Sequence, residues 1–203
     1  MPRHHVIISG TGRAGTTFLV QLFTKLGLDT GFRDPAEGVL PNCNAGMEVD
    51  IRRTDAPYIV KSPWLCDHLG EVLRSGEIQI DHALVPIRDL FAAAESRRDV
   101  TARSDPSCRI GDDIPGGLWH TTDPASQESV LAGQLYKLLH VLETHEIPLT
   151  LLHFPRIVRD PDYLRRKVGF LLDGIDAEHF FTAFRAISRP DLVHDFESLR
   201  AAG

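Results

Sequence analysis

Cysteine is scarce in this chain. It has three, Cys43, Cys66 and Cys108, far apart and without a CxxC pair. An odd number at that spacing argues against a disulfide framework and against a zinc site, and it fits a reducing compartment. Long apolar runs are missing too. The opening run Val6-Ile7-Ile8 is too short for the core of a signal peptide or for a membrane span, and no later stretch reaches spanning length. Nor is there an excess of positive charge. Lys and Arg number 22 against 28 Asp and Glu, a formal net charge of -6. That balance excludes a surface built for nucleic acid and leaves room only for a local basic pocket. The expectation is a cytoplasmic chain with neither nucleic acid nor membrane as partner.

What is present suits a compact core. The 203 residues fit one domain over 1–203, and 42% hydrophobic residues are enough to fill it. Val6-Ile7-Ile8-Ser9 reads as a buried strand closed by Gly10. Residues 16–26 come next with helical spacing, Phe18, Leu19, Leu22 and Phe23 sharing a face, and Gly27 ends them. Residues 28–56 lack periodicity and read as loop with at most a short helix. Tyr58-Ile59-Val60 is a second strand, and 64–73 a helix opened by Pro63. A third strand centres on 83–87, with an alanine-rich helix over 90–98. Residues 99–125 read as a long loop, a length that is usually functional or disordered. Residues 126–143 form an amphipathic helix, 148–152 a fourth strand, and 162–172 and 177–184 two further helices. Strands alternating with helices imply an α/β fold, a central parallel sheet flanked by helices in three layers.

The junction between the first strand and helix carries the strongest chemical signal. Gly10-Thr11-Gly12-Arg13-Ala14-Gly15-Thr16-Thr17 aims backbone N–H groups and a helix N-terminus at an anion. The frame is nearly that of a nucleotide-triphosphatase P-loop, yet Thr16 stands where the lysine belongs. Transfer of an ATP γ-phosphoryl group is therefore disfavoured. Arg13 instead lies inside the loop, with a guanidinium able to fork onto phosphate or sulfate. A second anion site is expected where the third strand ends. Arg88 precedes Ser96 by slightly more than two helical turns, so both can face one pocket. Two anion sites at the carboxyl ends of parallel strands suit a nucleotide phosphorylated at both 5′ and 3′ positions.

These segments resemble the sulfotransferases that use 3′-phosphoadenosine 5′-phosphosulfate (PAPS). Residues 9–17 are similar to that family's 5′-phosphosulfate loop. Ile87-Arg88-Asp89 with Ser96 is similar to its 3′-phosphate motif. The segment from Leu151 through Asp160-Pro161 to Phe170-Leu171-Leu172 resembles a later structural stretch, with His153 and Phe154 in place of its usual Tyr-Glu pair. The resemblance implies a three-layer P-loop domain. It also implies PAPS as donor, adenosine 3′,5′-bisphosphate as product and a hydroxyl or amine on a small molecule or glycan as acceptor. It places Gly12, Arg13, Ala14, Gly15, Thr16 and Thr17 on the phosphosulfate, and Arg88 and Ser96 on the 3′-phosphate. Ser188-Arg189 is a further 3′-phosphate contact in some members.

Sulfuryl transfer needs charge stabilisation on the departing phosphate and a base for the acceptor proton. Positioned cations suffice, and no metal is expected. Family members carry a lysine at the position of Lys61, beside the leaving oxygen, and Pro63 fixes the turn after it. Arg13 and Lys61 are thus the expected catalytic cations. The branch that uses an acidic base resembles this chain at Asp34-Pro35-Ala36-Glu37-Gly38. Glu37 is accordingly the expected base, ahead of Asp34, Glu48 and His68. A helix could also bring Arg97, Arg98 and Arg103 over the nucleotide. Two other functions share the loop: a P-loop kinase of a small metabolite, and a nucleotide-binding protein without turnover.

Overall fold

The computed structural model describes residues 1–40, 45–104, 114–194 and 196. Cys43, Cys108 and the middle of the expected 99–125 loop lie outside them. Along the chain come β1 (Arg3–Ile8), α1 (Thr16–Lys25), β2 (Val39–Leu40), β3 (Ala45–Gly46), β4 (Ile59–Lys61) and α2 (Leu65–Arg74). Next are β5 (Ile78–Ile87), α3 (Leu90–Arg103), α4 (Gln127–Thr144), β6 (Leu149–His153), α5 (Arg156–Arg159), α6 (Pro161–Lys167) and α7 (Ala177–Ile187).

Four strands make one parallel sheet in the order β4-β1-β5-β6. The registers Ile7↔Val60, Ile7↔Ala83 and Val85↔Leu151 fix it. Alternate residues of each strand point to opposite faces. Val6, Ile8, Leu84 and Leu152 pack with Phe18, Leu22, Phe23, Phe180 and Phe184 on one side. Ile7, Val60, Ala83 and Val85 pack with Leu69, Leu131, Leu138 and Leu142 on the other. The chain is therefore an α/β fold with a central parallel sheet between helical layers. Among the described residues no helix is long and apolar enough to cross a membrane.

Several local expectations need correction. Residues 28–56 contain the antiparallel pair β2–β3, whose two-residue strands are too short to show a period. Strand β5 spans all of 78–87 despite Pro86. Its ladder to β1 ends at Leu84, so the N–H that proline lacks is not needed on that side. Helix α3 continues to Arg103, helped by an Arg103–Asp99 ion pair one turn apart. The expected long loop therefore begins later. His5 is 2% exposed, with Nδ1 2.7 Å from the Pro57 carbonyl, so it is a buried strand residue.

Candidate active site

Three cationic side chains emerge from one edge of the sheet. The carboxyl end of β1 runs into the glycine loop that carries Arg13, β4 ends at Lys61, and β5 ends just before Arg88. The chain leaves β1 for β4 on one side and β5 on the other, and a parallel sheet opens a crevice at such a point. Here the crevice is a cleft of about 500 Å³, within the range of nucleotide and small-molecule sites. Gly12, Arg13, Gly15, Thr16, Thr17, Lys61, Arg88 and Ser96 all line it.

The glycine loop has the backbone of an anion cradle. Gly12, Arg13 and Gly15 have φ of 66, 55 and 81°, left-handed values that turn successive N–H groups inward. Gly15 caps α1 without any side-chain hydrogen bond, and the first turn holds no acidic residue. Asp89, Asp160 and Asp176 by contrast cap α3, α6 and α7 with their carboxylates. The N-terminus of α1 thus keeps its positive end open to a ligand. A Cβ at Gly15 would lie 3.0 Å from both Ile157 Cδ1 and Phe154 Cδ2, so glycine is needed for packing as well as for φ. Ala14 is fully buried in the core, so only its backbone can serve the site.

The guanidinium of Arg13 turns to α3, where Nε donates to Ser96 Oγ at 3.1 Å. Arg88 donates through Nη1 to the Arg13 carbonyl at 3.0 Å and through Nη2 to the His194 carbonyl at 2.9 Å. Its guanidinium also lies 5.1 Å from the Phe154 ring, the residue that replaces the glutamate of the resembling family. Arg97, next to Ser96, is 6% exposed. It donates to the carbonyls of Thr11 and Gly117, both at 2.6 Å. Burial first, and the charge of Arg13 second, lower Arg88 to about 10 and Arg97 to about 9. Arg13 thus places like charge beside two buried guanidiniums, and an anion bound there would offset it.

A second group forms around Lys61, which is 4% exposed. Its Nζ donates to Thr17 Oγ1 at 2.9 Å, to the Gly46 carbonyl at 2.5 Å and to Glu48 Oε1 at 2.8 Å. Strand β3 and the residues after it therefore bring a carboxylate to the cleft beside the head of α1. The apolar side chains of Val39 and Leu40 on β2 and of Trp64 at the start of α2 continue the lining. Trp64 remains 49% exposed and Leu40 37%.

The other acidic candidates lie elsewhere. Glu37 is exposed and accepts from the Arg33 N–H at 2.9 Å, closing a turn on itself. Asp34 is exposed and accepts from the Ala36 N–H. Neither lines the cleft, and neither does His68, whose nearest acidic partner is Glu71 at 4.0 Å. Glu37, the expected base, is thus held in a local turn outside the cleft lining, whereas Glu48 lies within it. Arg98 is partly buried and pairs with Glu95 and Glu128, and exposed Arg103 pairs with Asp99; neither lines the cleft. Ser188 Oγ donates to the Val158 carbonyl at 2.6 Å, while Arg189 lines the cleft and pairs with Asp191. Sequence reasoning did not find the buried bridge made by Arg97. An arginine beside a serine on a helix carries no periodic signal of its burial.

Among solved structures the chain is similar to the sulfotransferase domain of the olefin synthase from Synechococcus PCC 7002. The TM-score is 0.55 at 17% identity, over 98% of this chain and 83% of that one. No family model and no curated protein matches the chain. At that identity the likeness establishes a sulfotransferase-like fold.

Proposed function

We propose that this chain is a PAPS-dependent sulfotransferase acting on a hydroxyl or amine acceptor. One observation carries the reading. The glycine loop and the Arg88–Ser96 motif share a single cleft and are bonded to each other through Arg13. One adenosine nucleotide phosphorylated at both ends is the ligand that two such adjoining cradles fit.

In this reading the loop amides of 14–17, with the hydroxyls of Thr16 and Thr17, hold the 5′-phosphosulfate. Arg88 and Ser96 hold the 3′-phosphate, and Arg13 stands between the two cradles. Lys61, held at Thr17, meets the charge that develops on the phosphate oxygen as the bond from that oxygen to sulfur breaks. A new bond forms from sulfur to the acceptor atom, and the acceptor's proton passes to a carboxylate. Glu48 is the base this geometry supports, because its carboxylate lies in the cleft at 2.8 Å from Lys61. The apolar side chains of Val39, Leu40 and Trp64 beside that pair favour an acceptor whose reactive group sits on an apolar body.

Calorimetry with adenosine 3′,5′-bisphosphate and with ATP plus magnesium tests the donor. Tight binding of the bisphosphate alone supports the reading, and tight binding of ATP with magnesium alone would replace it with a kinase. Transfer of labelled sulfate to an acceptor panel separates an enzyme from a protein that only binds the nucleotide.

A further inference from the structure

Helix α3 presents two consecutive side chains to the glycine loop. Ser96 meets Arg13, and Arg97 meets the carbonyl of Thr11. Arg97 reaches a third segment as well, since Nη1 donates to the Gly117 carbonyl and the guanidinium lies 5.1 Å from the Trp119 ring. That segment is itself anchored. The Leu118 N–H donates to Thr101 Oγ1 at 2.8 Å, and the Trp119 N–H to Gln127 Oε1 at 2.8 Å. The bridge is tight: a Cβ on Gly12 would stand 2.7 Å from Arg97 Nη2.

The bridge sits immediately before the bend of the loop. Gly12 and Arg13, the two residues after Thr11, are consecutive left-handed residues. For arginine that conformation is unfavourable and persists only where surrounding contacts over-determine it. The Thr11 carbonyl is the last backbone group before the two left-handed turns, and a buried charge holds it. Among the described residues Arg97 Nε has no hydrogen-bond partner, so the hydrogen bonds of this guanidinium go to the two carbonyls.

We propose that Arg97 is the positioning residue of the donor site: it pins the Thr11 carbonyl to the Gly117 carbonyl, and so holds the glycine loop in its anion-binding shape before any ligand arrives. It acts through the loop and the wall segment 117–119, not by touching the reacting atoms. The proposal rests on the reading of the cleft as a nucleotide site, but its first arm needs no nucleotide.

The test uses Arg97→Lys, which keeps the stem and charge but cannot serve both carbonyls in the plane of a guanidinium, and Arg97→Met. Hydrogen exchange is tracked on the ligand-free protein. The expected result is that amides of 12–17 and of 117–119 exchange at least about tenfold faster together, while those of β1 and β5 do not change. Calorimetry at temperatures where each variant is fully folded should show adenosine 3′,5′-bisphosphate binding weakened by roughly tenfold or more. Should Arg97→Met fail to fold, Arg97→Lys is read with Gly12→Ala, which presses on the same guanidinium from the loop side and should weaken binding likewise. A purely structural arginine would lower the unfolding midpoint yet leave both the affinity of the folded molecules and the coupled exchange untouched. That result overturns the proposal. If the parent chain binds no bisphosphate, the donor reading falls and the exchange arm alone decides: coupled acceleration upholds the bridge, and unchanged exchange refutes it.

Discussion

Nε of Arg13 donates to Oγ of Ser96 at 3.1 Å, a bond that joins residues 83 positions apart. It ties a loop after β1 to the second turn of α3. The serine could reach the arginine only because β5 delivers α3 to the same sheet edge as the loop.

Arg88 is expected to report on one end of the nucleotide. Arg88→Ala removes a charge-assisted contact of about 1.5–3 kcal/mol, so affinity for adenosine 3′,5′-bisphosphate should fall about 10- to 100-fold. Adenosine 5′-phosphosulfate, which lacks the 3′ group, should bind nearly as before. Calorimetry with both ligands checks this, and equal losses would contradict the assignment.

Glu48 and Lys61 should separate chemistry from binding. Glu48→Gln is expected to leave bisphosphate affinity unchanged and to slow labelled-sulfate transfer by about a hundredfold or more. Lys61→Met should also slow transfer and, because it leaves Glu48 facing a buried apolar stem, lower the urea midpoint. Glu37→Gln serves as the control, and a transfer rate as low as that of Glu48→Gln would return the base role to Glu37.

Gly15 and Gly27 have nearly the same left-handed φ, 81 and 79°, but different surroundings. A Cβ at Gly27 meets nothing within 4 Å, whereas at Gly15 it meets Ile157 and Phe154 at 3.0 Å. Gly27→Ala should therefore cost about 1 kcal/mol from backbone strain alone. Gly15→Ala should cost clearly more and also weaken bisphosphate binding. Denaturant melts of the two variants, with calorimetry on the folded proteins, measure the difference.

Stability should fall in mild acid. Burial lowers the pKa of His5 and of His82 from the ordinary 6.5. The unfolded chain therefore binds protons that the folded chain resists, and stability rises with pH across that interval. Below pH 6.5 stability is lost, by at most about 1.4 kcal/mol per pH unit for each group, until the depressed folded pKa is reached. Denaturant melts between pH 5 and 7.5 check the slope. His5→Phe should flatten it, and an unchanged slope would mean that His5 does not titrate in this range.

Trp64 lies at the cleft yet is half exposed, so its removal should not disturb folding. Trp64→Ala is expected to change stability by no more than about 0.5 kcal/mol, to leave bisphosphate affinity alone and to raise the acceptor KM. Steady-state transfer kinetics on any active acceptor would show it. An unchanged KM would place the acceptor elsewhere in the cleft.

Much of the frame is readable along the chain because it depends on neighbours in sequence. Short apolar runs marked β1, β4 and β6 closely, and the 3.6-residue period of Phe18, Leu19, Leu22 and Phe23 marked α1. Helix ends were harder. The extension of α3 to Arg103 is helped by its last-turn ion pair with Asp99, which composition alone does not show. The β2–β3 pair was missed because two residues per strand cannot display an alternation.

The sequence alone determined the parallel α/β fold, since buried strands alternating with amphipathic helices have few other ways to cover both faces of a sheet. It also marked the glycine loop, where Gly12 and Gly15 take left-handed conformations and the lysine of a phosphoryl-transfer loop is missing. Only the tertiary structure decided which side chains face the cleft. Glu37 is drawn into its own turn, Glu48 is carried to Lys61 by β3, and Arg97 disappears beneath the loop. Those outcomes turn on burial and on hydrogen bonds between segments far apart in the chain, and a local pattern holds no record of either.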